Sequence, residues 1–189
     1  MKHLISNFGI FNESVSRENI EIKMGLSDDE FTEACKLCSE ELSAELEDVS
    51  AEDIFEDLHG NAEPKHSVIA IDRTTKELLG ALCCKVQNID QSLAEYPDGE
   101  VEYIGNIDDY NGKSGIEGCA LSVKEEHRNG FVVFNILNTL KGLEYDYVII
   151  QQFESLKSNI NYLNKGCKKF CKLKTPEFEE AIDFYIKEF

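Results

Sequence analysis

Apolar residues along the chain keep two rhythms, and the switch between them marks the elements. Over 19–26, "NIEIKMGL" alternates and predicts a short strand. Ser27 and Glu30 then stand in the Ser-x-x-Glu spacing of a capping box. Phe31, Cys35, Cys38, Leu42 and Leu46 follow at three- and four-residue steps, which predicts one apolar helix face. Ser50 with Asp53 reads as a second cap, and Ile54, Phe55 and Leu58 as a short helix ended by Gly60. "SVIAI" at 67–71, the polar turn "DRTTKE" and "LLGALCCKV" at 78–86 predict a hairpin. Residues 87–114 are polar, with turn signals at Pro97-Asp98-Gly99 and Asn111-Gly112, and read as a long loop. "IEGCALSV" at 116–123 is the next strand. "VVFNILNTLKGL" at 132–143 is a helix with Val133, Ile136, Leu137 and Leu140 on one face, and "YVIIQQF" at 147–153 is a strand buried on both sides. "SNINYLNK" reads as helix, with Gly166 as a left-handed terminator. "CKKFCKL" reads as a strand with Cys167, Cys171 and Leu173 at even spacing, and "EEAIDFYIKEF" as a strand or a helix.

Strand, helix and strand in succession imply a crossover with parallel pairing, while the early hairpin adds antiparallel strands. The expected class is α/β: a central mixed sheet with helices on both faces. A loose arm is expected over 1–18 and one domain over 19–189.

Charge narrows the partners. With 37 acidic and 19 basic residues the 189-residue chain carries −18. Phosphate backbones and anionic membrane surfaces need clustered Lys and Arg, so nucleic acid and membrane are not expected. Acidity of this size serves solubility as readily as it serves recognition of cationic small molecules or basic peptides. No stretch looks like a cleaved leader, and no apolar run approaches the ~20 residues that span a bilayer, so a cytoplasmic location is expected. Seven cysteines, an odd number, suit reduced thiols better than a disulfide framework. Cys35 and Cys38 share the apolar face of a helix. Cys167 and Cys171 on a strand would stand ~13 Å apart, too far to share an ion. No metal is expected.

The order of elements and three stretches resemble the GNAT superfamily of acetyl-CoA-dependent N-acyltransferases over roughly 19–189. In "NYLNKGC", Tyr162 and Gly166 fall on the tyrosine and glycine of the family's Phe-Tyr-x-x-x-Gly-Phe pattern, with both flanking aromatics replaced. The hairpin at 67–86 matches the family's second and third strands. In "LSVKEEHRNG", Val123 and Arg128 stand five apart, like the family's Val-x-x-x-x-Arg/Gln. The loop then departs from the family's Arg-x-x-Gly-x-Gly/Ala: Phe131 and Val133 replace both glycines and only Gly130 remains.

The resemblance implies a GNAT-like acyltransferase fold and acetyl-CoA as cosubstrate, as monomer or homodimer. Arg128, Asn129, Gly130, Phe131, Val132 and Val133 would cradle its phosphates with main-chain N–H groups at a helix N-terminus. Leu121, Ser122 and Val123 would meet the pantetheine arm. Tyr162 would protonate the departing thiolate. A base or water relay must take the amine's proton. Glu117, on the strand at 116–123, and Glu40, in "SEELSAEL", are the candidates, with His127 as a weaker one. That last stretch resembles the Glu-Pro-Leu segment of animal arylalkylamine N-acetyltransferases, with Glu41 in place of the proline. The implied activity is acetyl transfer to an amine, a small arylalkylamine or a polyamine. A protein acetyltransferase and a catalytically inactive binding or regulatory module are the alternatives.

Overall fold

The computed structural model describes residues 19–44, 46, 49–128, 131–153, 163 and 166–189. In chain order these form β1 (Ile20–Met24), α1 (Asp28–Ser43), α2 (Ala51–Asn61), β2 (Val68–Asp72), β3 (Leu78–Val86), α3 (Ile89–Ala94), β4 (Glu100–Tyr103), β5 (Gly115–Val123), α4 (Phe131–Thr139), β6 (Tyr147–Phe153), β7 (Lys168–Lys174) and β8 (Ile182–Glu188). The eight strands make one mixed sheet in the order β1-β2-β3-β5-β6-β8-β7-β4. β5 and β6, joined through α4, are the parallel pair, and the other neighbours are antiparallel. The mixed α/β class expected from the pattern is the one observed.

Local chemistry sets the helix starts. Ser27 Oγ accepts from the Glu30 N–H at 3.4 Å, and the Glu30 carboxylate accepts from the Ser27 N–H at 2.9 Å, so the capping box is complete. Ser50 Oγ accepts from the Asp53 N–H at 3.1 Å and caps α2. The apolar faces then sort themselves across the sheet. α4 sends Val132, Val133, Ile136 and Leu137 into a core with Leu79, Leu82, Ile116 and Val148. α1 packs Phe31, Cys35 and Cys38 on Ile69, Ala81 and Cys83 at the opposite face, so these cysteines are core residues as expected. A third cluster joins Tyr110, Tyr147 and Phe170 with Phe184 beside the far edge.

Several expectations change. Leu46 lies beyond α1, whose C-cap is Ala44. Gly60 sits inside α2, which runs on to Asn61. Residues 87–114 are not one loop: they contain α3, β4 and a 3₁₀ turn at Ile107–Tyr110. A two-turn helix capped by Asn88 and Gln91 and a four-residue edge strand are too short to show a period. Gly166 is itself helical rather than left-handed. The even spacing of Cys167 and Cys171 does not put them on one face, because the β7–β8 register shifts between Lys169 and Cys171. Cys171 and Leu173 join the third cluster while Cys167 packs on the α4 side. The tail at 182–188 is a strand, held inside the sheet between β6 and β7. Residues 1–18, expected as an arm, lie outside the described residues.

Candidate functional site

Side-by-side parallel strands normally stay paired, and here they stop. β5 and β6 pair from Gly115↔Tyr147 to Gly118↔Ile150 and no further. Beyond that point β5 stays with β3 through Val123, and β6 stays with β8 through Phe153. The divergence begins at a bulge. Cys83 faces Ala120 and Cys84 faces Gly118, so Cys119 is an extra residue on β5. A bulge bends its strand and strengthens the local twist. It also turns both Cys119 and Ala120 toward α1, while Leu121 and Val123 face α4.

A cleft of about 1060 Å³ opens where the strands part. Gly118, Ile150 and Gln151 stand at its inner end, with Tyr96 beside them. Glu41 and Leu42 of α1 and Asp53, Ile54 and Asp57 of α2 form one side. Phe153 and the turn between β7 and β8, with Glu177, Phe178, Glu179 and Glu180, form another.

The expected site residues divide. Leu121, Ser122, Val123 and Arg128 line the cleft. Arg128 Nε donates to the Val123 carbonyl at 3.0 Å, and its guanidinium holds Glu41 at 2.6 Å. Phe131 opens α4 half-buried, whereas the side chains of Val132 and Val133 are 1% and 2% exposed and belong to the core. Any contribution of these three to an anion would come from main-chain N–H groups. Asn129, Gly130 and Tyr162 lie outside the described residues. Glu40 is exposed and is not among the residues that line the cleft; its neighbour Glu41 is.

Glu117 is 3% exposed on β5, one residue short of the cleft's inner end. The Ser92 hydroxyl donates to its carboxylate, and Lys85 Nζ lies 3.3 Å from it while holding Glu95 at 2.6 Å. Burial pushes the Glu117 carboxyl above the ordinary carboxylate range, with Ser92 and Lys85 pulling the other way. Tyr96 donates its hydroxyl to Gln151 Oε1 at 2.9 Å. Burial, followed by the Glu117 and Glu95 charges, pushes its pKa up to about 12, so it stays un-ionised at neutral pH. His127 is not on the cleft. With Glu77 and Glu126 it forms the one group among the described residues whose ligand atoms lie within 4.8 Å of one another, and Lys124 already holds Glu77 at 2.7 Å.

Glu41, Tyr96 and Gln151 were missed in the sequence. Glu41 had a signal, standing three residues after Cys38 and thus beside the buried stripe of α1. Tyr96 and Gln151 had none, because pairing across 55 residues brings them together.

No family model matches the chain, and no curated protein matches it in sequence. Solved structures do match in shape. Arylalkylamine N-acetyltransferase 2 from Aedes aegypti superposes with a TM-score of 0.62 at 11% identity, covering 90% of this chain and 99% of that one. The NatC complex bound to Gag peptide and CoA gives 0.57 at 15%, covering 90% and 99%. Arabidopsis thaliana NAA60 in complex with acetyl-CoA gives 0.56 at 12%, covering 90% and 98%. The chain has the fold of the GNAT acetyltransferases. Among the described residues no helix is long and apolar enough to cross a membrane.

Proposed function

We propose that the protein transfers an acetyl group from acetyl-CoA to an amine in the cleft between β5 and β6. The observation that carries this reading is the parting of the parallel strands after Gly118 and Ile150, in a fold shared with proteins solved with CoA and acetyl-CoA. Residues 119–123 of β5 offer an extended main chain to a pantetheine arm, as a strand offers its edge to a peptide. Arg128 and the main chain at the start of α4 receive the phosphates.

The amine nitrogen, as the free base, attacks the thioester carbonyl carbon. The C–N bond forms, the C–S bond breaks, and the sulfur leaves with the bonding pair. The proton lost by nitrogen goes to Glu117 through water, since that carboxylate sits just behind the cleft's inner end. The thiolate takes a proton from Tyr162. A lysine or an N-terminus of a protein is the alternative acceptor. A binding module without turnover is the alternative function, and one observation favours it: the cleft's arginine is already neutralised by Glu41.

Thermal unfolding with and without acetyl-CoA tests the reading first. A ligand at a hundredfold excess over its Kd stabilises the folded state by about 2.7 kcal/mol, roughly 5–10 °C for a domain of this size. A shift of that order, with acetyl transfer lost in Tyr162→Phe while the shift remains, supports the assignment. No shift at millimolar acetyl-CoA refutes it.

A further inference from the structure

The cleft's charge separates one kind of amine from another. Six carboxylates line it (Glu41, Asp53, Asp57, Glu177, Glu179 and Glu180), and Arg128 is its one basic side chain among the described residues. Glu41 holds that arginine at 2.6 Å, and Asp53, Asp57, Glu177 and Glu179 still stand around the cleft. These groups do not make the cleft; the parting of β5 from β6 does. They set the charge of what enters it. They also stand on two sides, with Asp53 and Asp57 on α2 and Glu177, Glu179 and Glu180 on the turn between β7 and β8.

An aromatic surface accompanies the second group. Phe178 is 40% exposed between Glu177 and Glu179 and packs edge-on against Phe153 at 5.1 Å. Aliphatic chain against aromatic ring, with ammonium against carboxylate or ring face, is how an extended cation is held. A neutral aromatic tail would use the rings and gain nothing from the charge of the carboxylates.

We infer that the acceptor is a polycationic amine, a primary amine carrying at least one further positive charge several ångströms from the reacting nitrogen, with Asp57, Glu177 and Glu179 as determinants of that preference. The inference rests on the acetyl-transfer reading for its reaction but not for its binding. A cleft lined by negative charge, with low-dielectric walls, concentrates a cation and speeds its arrival, and salt removes the advantage.

The test uses the full chain, acetyl-CoA, and three primary amines: spermidine, butylamine and phenethylamine. At 50 mM NaCl, kcat/KM for spermidine is expected to exceed both others at least tenfold, and the gap to shrink several-fold at 0.5 M. E177Q/E179Q should raise KM for spermidine several-fold with kcat little changed. E100Q/E102Q removes the same charge from edge strand β4, whose residues do not line the cleft, and should change neither. Equal or better turnover of phenethylamine, or a spermidine preference indifferent to salt and to E177Q/E179Q, overturns the inference.

Calorimetric titration of spermidine into the wild type and E177Q/E179Q, without coenzyme, keeps the two readings apart. Weaker binding by the variant with no acetyl transfer to any amine sustains the cation site and sinks the transferase. Transfer to neutral amines with spermidine binding absent or unchanged does the reverse. Neither binding nor transfer sinks both.

Discussion

Glu41→Gln should strengthen acetyl-CoA binding. In the wild type the Glu41 carboxylate occupies the Arg128 guanidinium at 2.6 Å, on the side of the cleft nearest the start of α4. A coenzyme phosphate reaching Arg128 would therefore lie beside a carboxylate of the same sign. The bridge, the width of the guanidinium and a second hydrogen bond together place that phosphate about 8 Å from the Glu41 oxygens. A unit charge at that separation costs roughly 0.5 kcal/mol at the dielectric of water and about 2 kcal/mol at the effective value near a protein surface. Salt at 0.1 M, with a Debye length of about 10 Å, roughly halves both figures. The expected gain is thus about 0.3–1 kcal/mol, or roughly 1.5- to 5-fold in Kd. Folding should change little, because Arg128 and Glu41 are 32% and 22% exposed and such pairs contribute about 0.2–1 kcal/mol. Arg128 also keeps its hydrogen bond to the Val123 carbonyl. The assay is isothermal titration of acetyl-CoA at 50 and 300 mM NaCl, with urea unfolding of both proteins alongside. Tighter binding by the variant at low salt, narrowing at high salt, is the expected result. Weaker binding by a variant that folds normally would refute the reasoning. Glu41 would then be holding Arg128 in the geometry that the coenzyme needs, rather than competing for it.

Glu117→Gln separates a base from a structural carboxylate. If Glu117 takes the amine's proton, the variant should lose about 10²-fold in kcat with the acetyl-CoA-dependent thermal shift retained. The raised pKa of Glu117 also carries a sign for folding: its contribution is fully present below the unfolded carboxyl value and is lost as pH rises through the higher folded one. Urea unfolding should accordingly show the variant gaining on the wild type between pH 4 and pH 8. Glu30 carries the opposite sign. The Lys23 hydrogen bond and the Ser27 N–H hold its pKa at about 2, against 4.5 for an unperturbed group, so its contribution is present above 4.5 and is lost as pH falls toward 2. With Lys23 41% and Glu30 29% exposed, solvent reduces this to about 1 kcal/mol. The stability gap between wild type and Glu30→Gln, followed by urea unfolding from pH 7 to pH 2, should be flat to about pH 5 and then close.

What could be read along the chain was what repeats locally. The capping box at Ser27 and Glu30, the hairpin at 67–86 and the parallel pair at β5 and β6 each write a short period or a fixed spacing into consecutive residues. The features that shape the site do not. Cys119 is an ordinary member of "IEGCALSV", and nothing in that run shows that it will be the extra residue opposite β3. Yet a strand has period two, so one extra residue reassigns every side chain beyond it to the other face. Counting from Glu117 in strict alternation would point Cys119 and Leu121 toward α1 and leave Ala120 toward α4. With the bulge, Ala120 packs under α1 and Leu121 joins the core beneath α4. The same slip at Lys169 and Cys171 sent Cys167 and Cys171 to opposite faces. Tyr96 belongs to this class for a different reason. It follows a helix of six residues, and its long-range partners Gln151 and Phe184 give it a place at the inner end of the cleft. The β5 bulge that hides from a periodic reading also lets β5 leave β6. The residue least visible in the pattern is therefore the one on which the cleft depends.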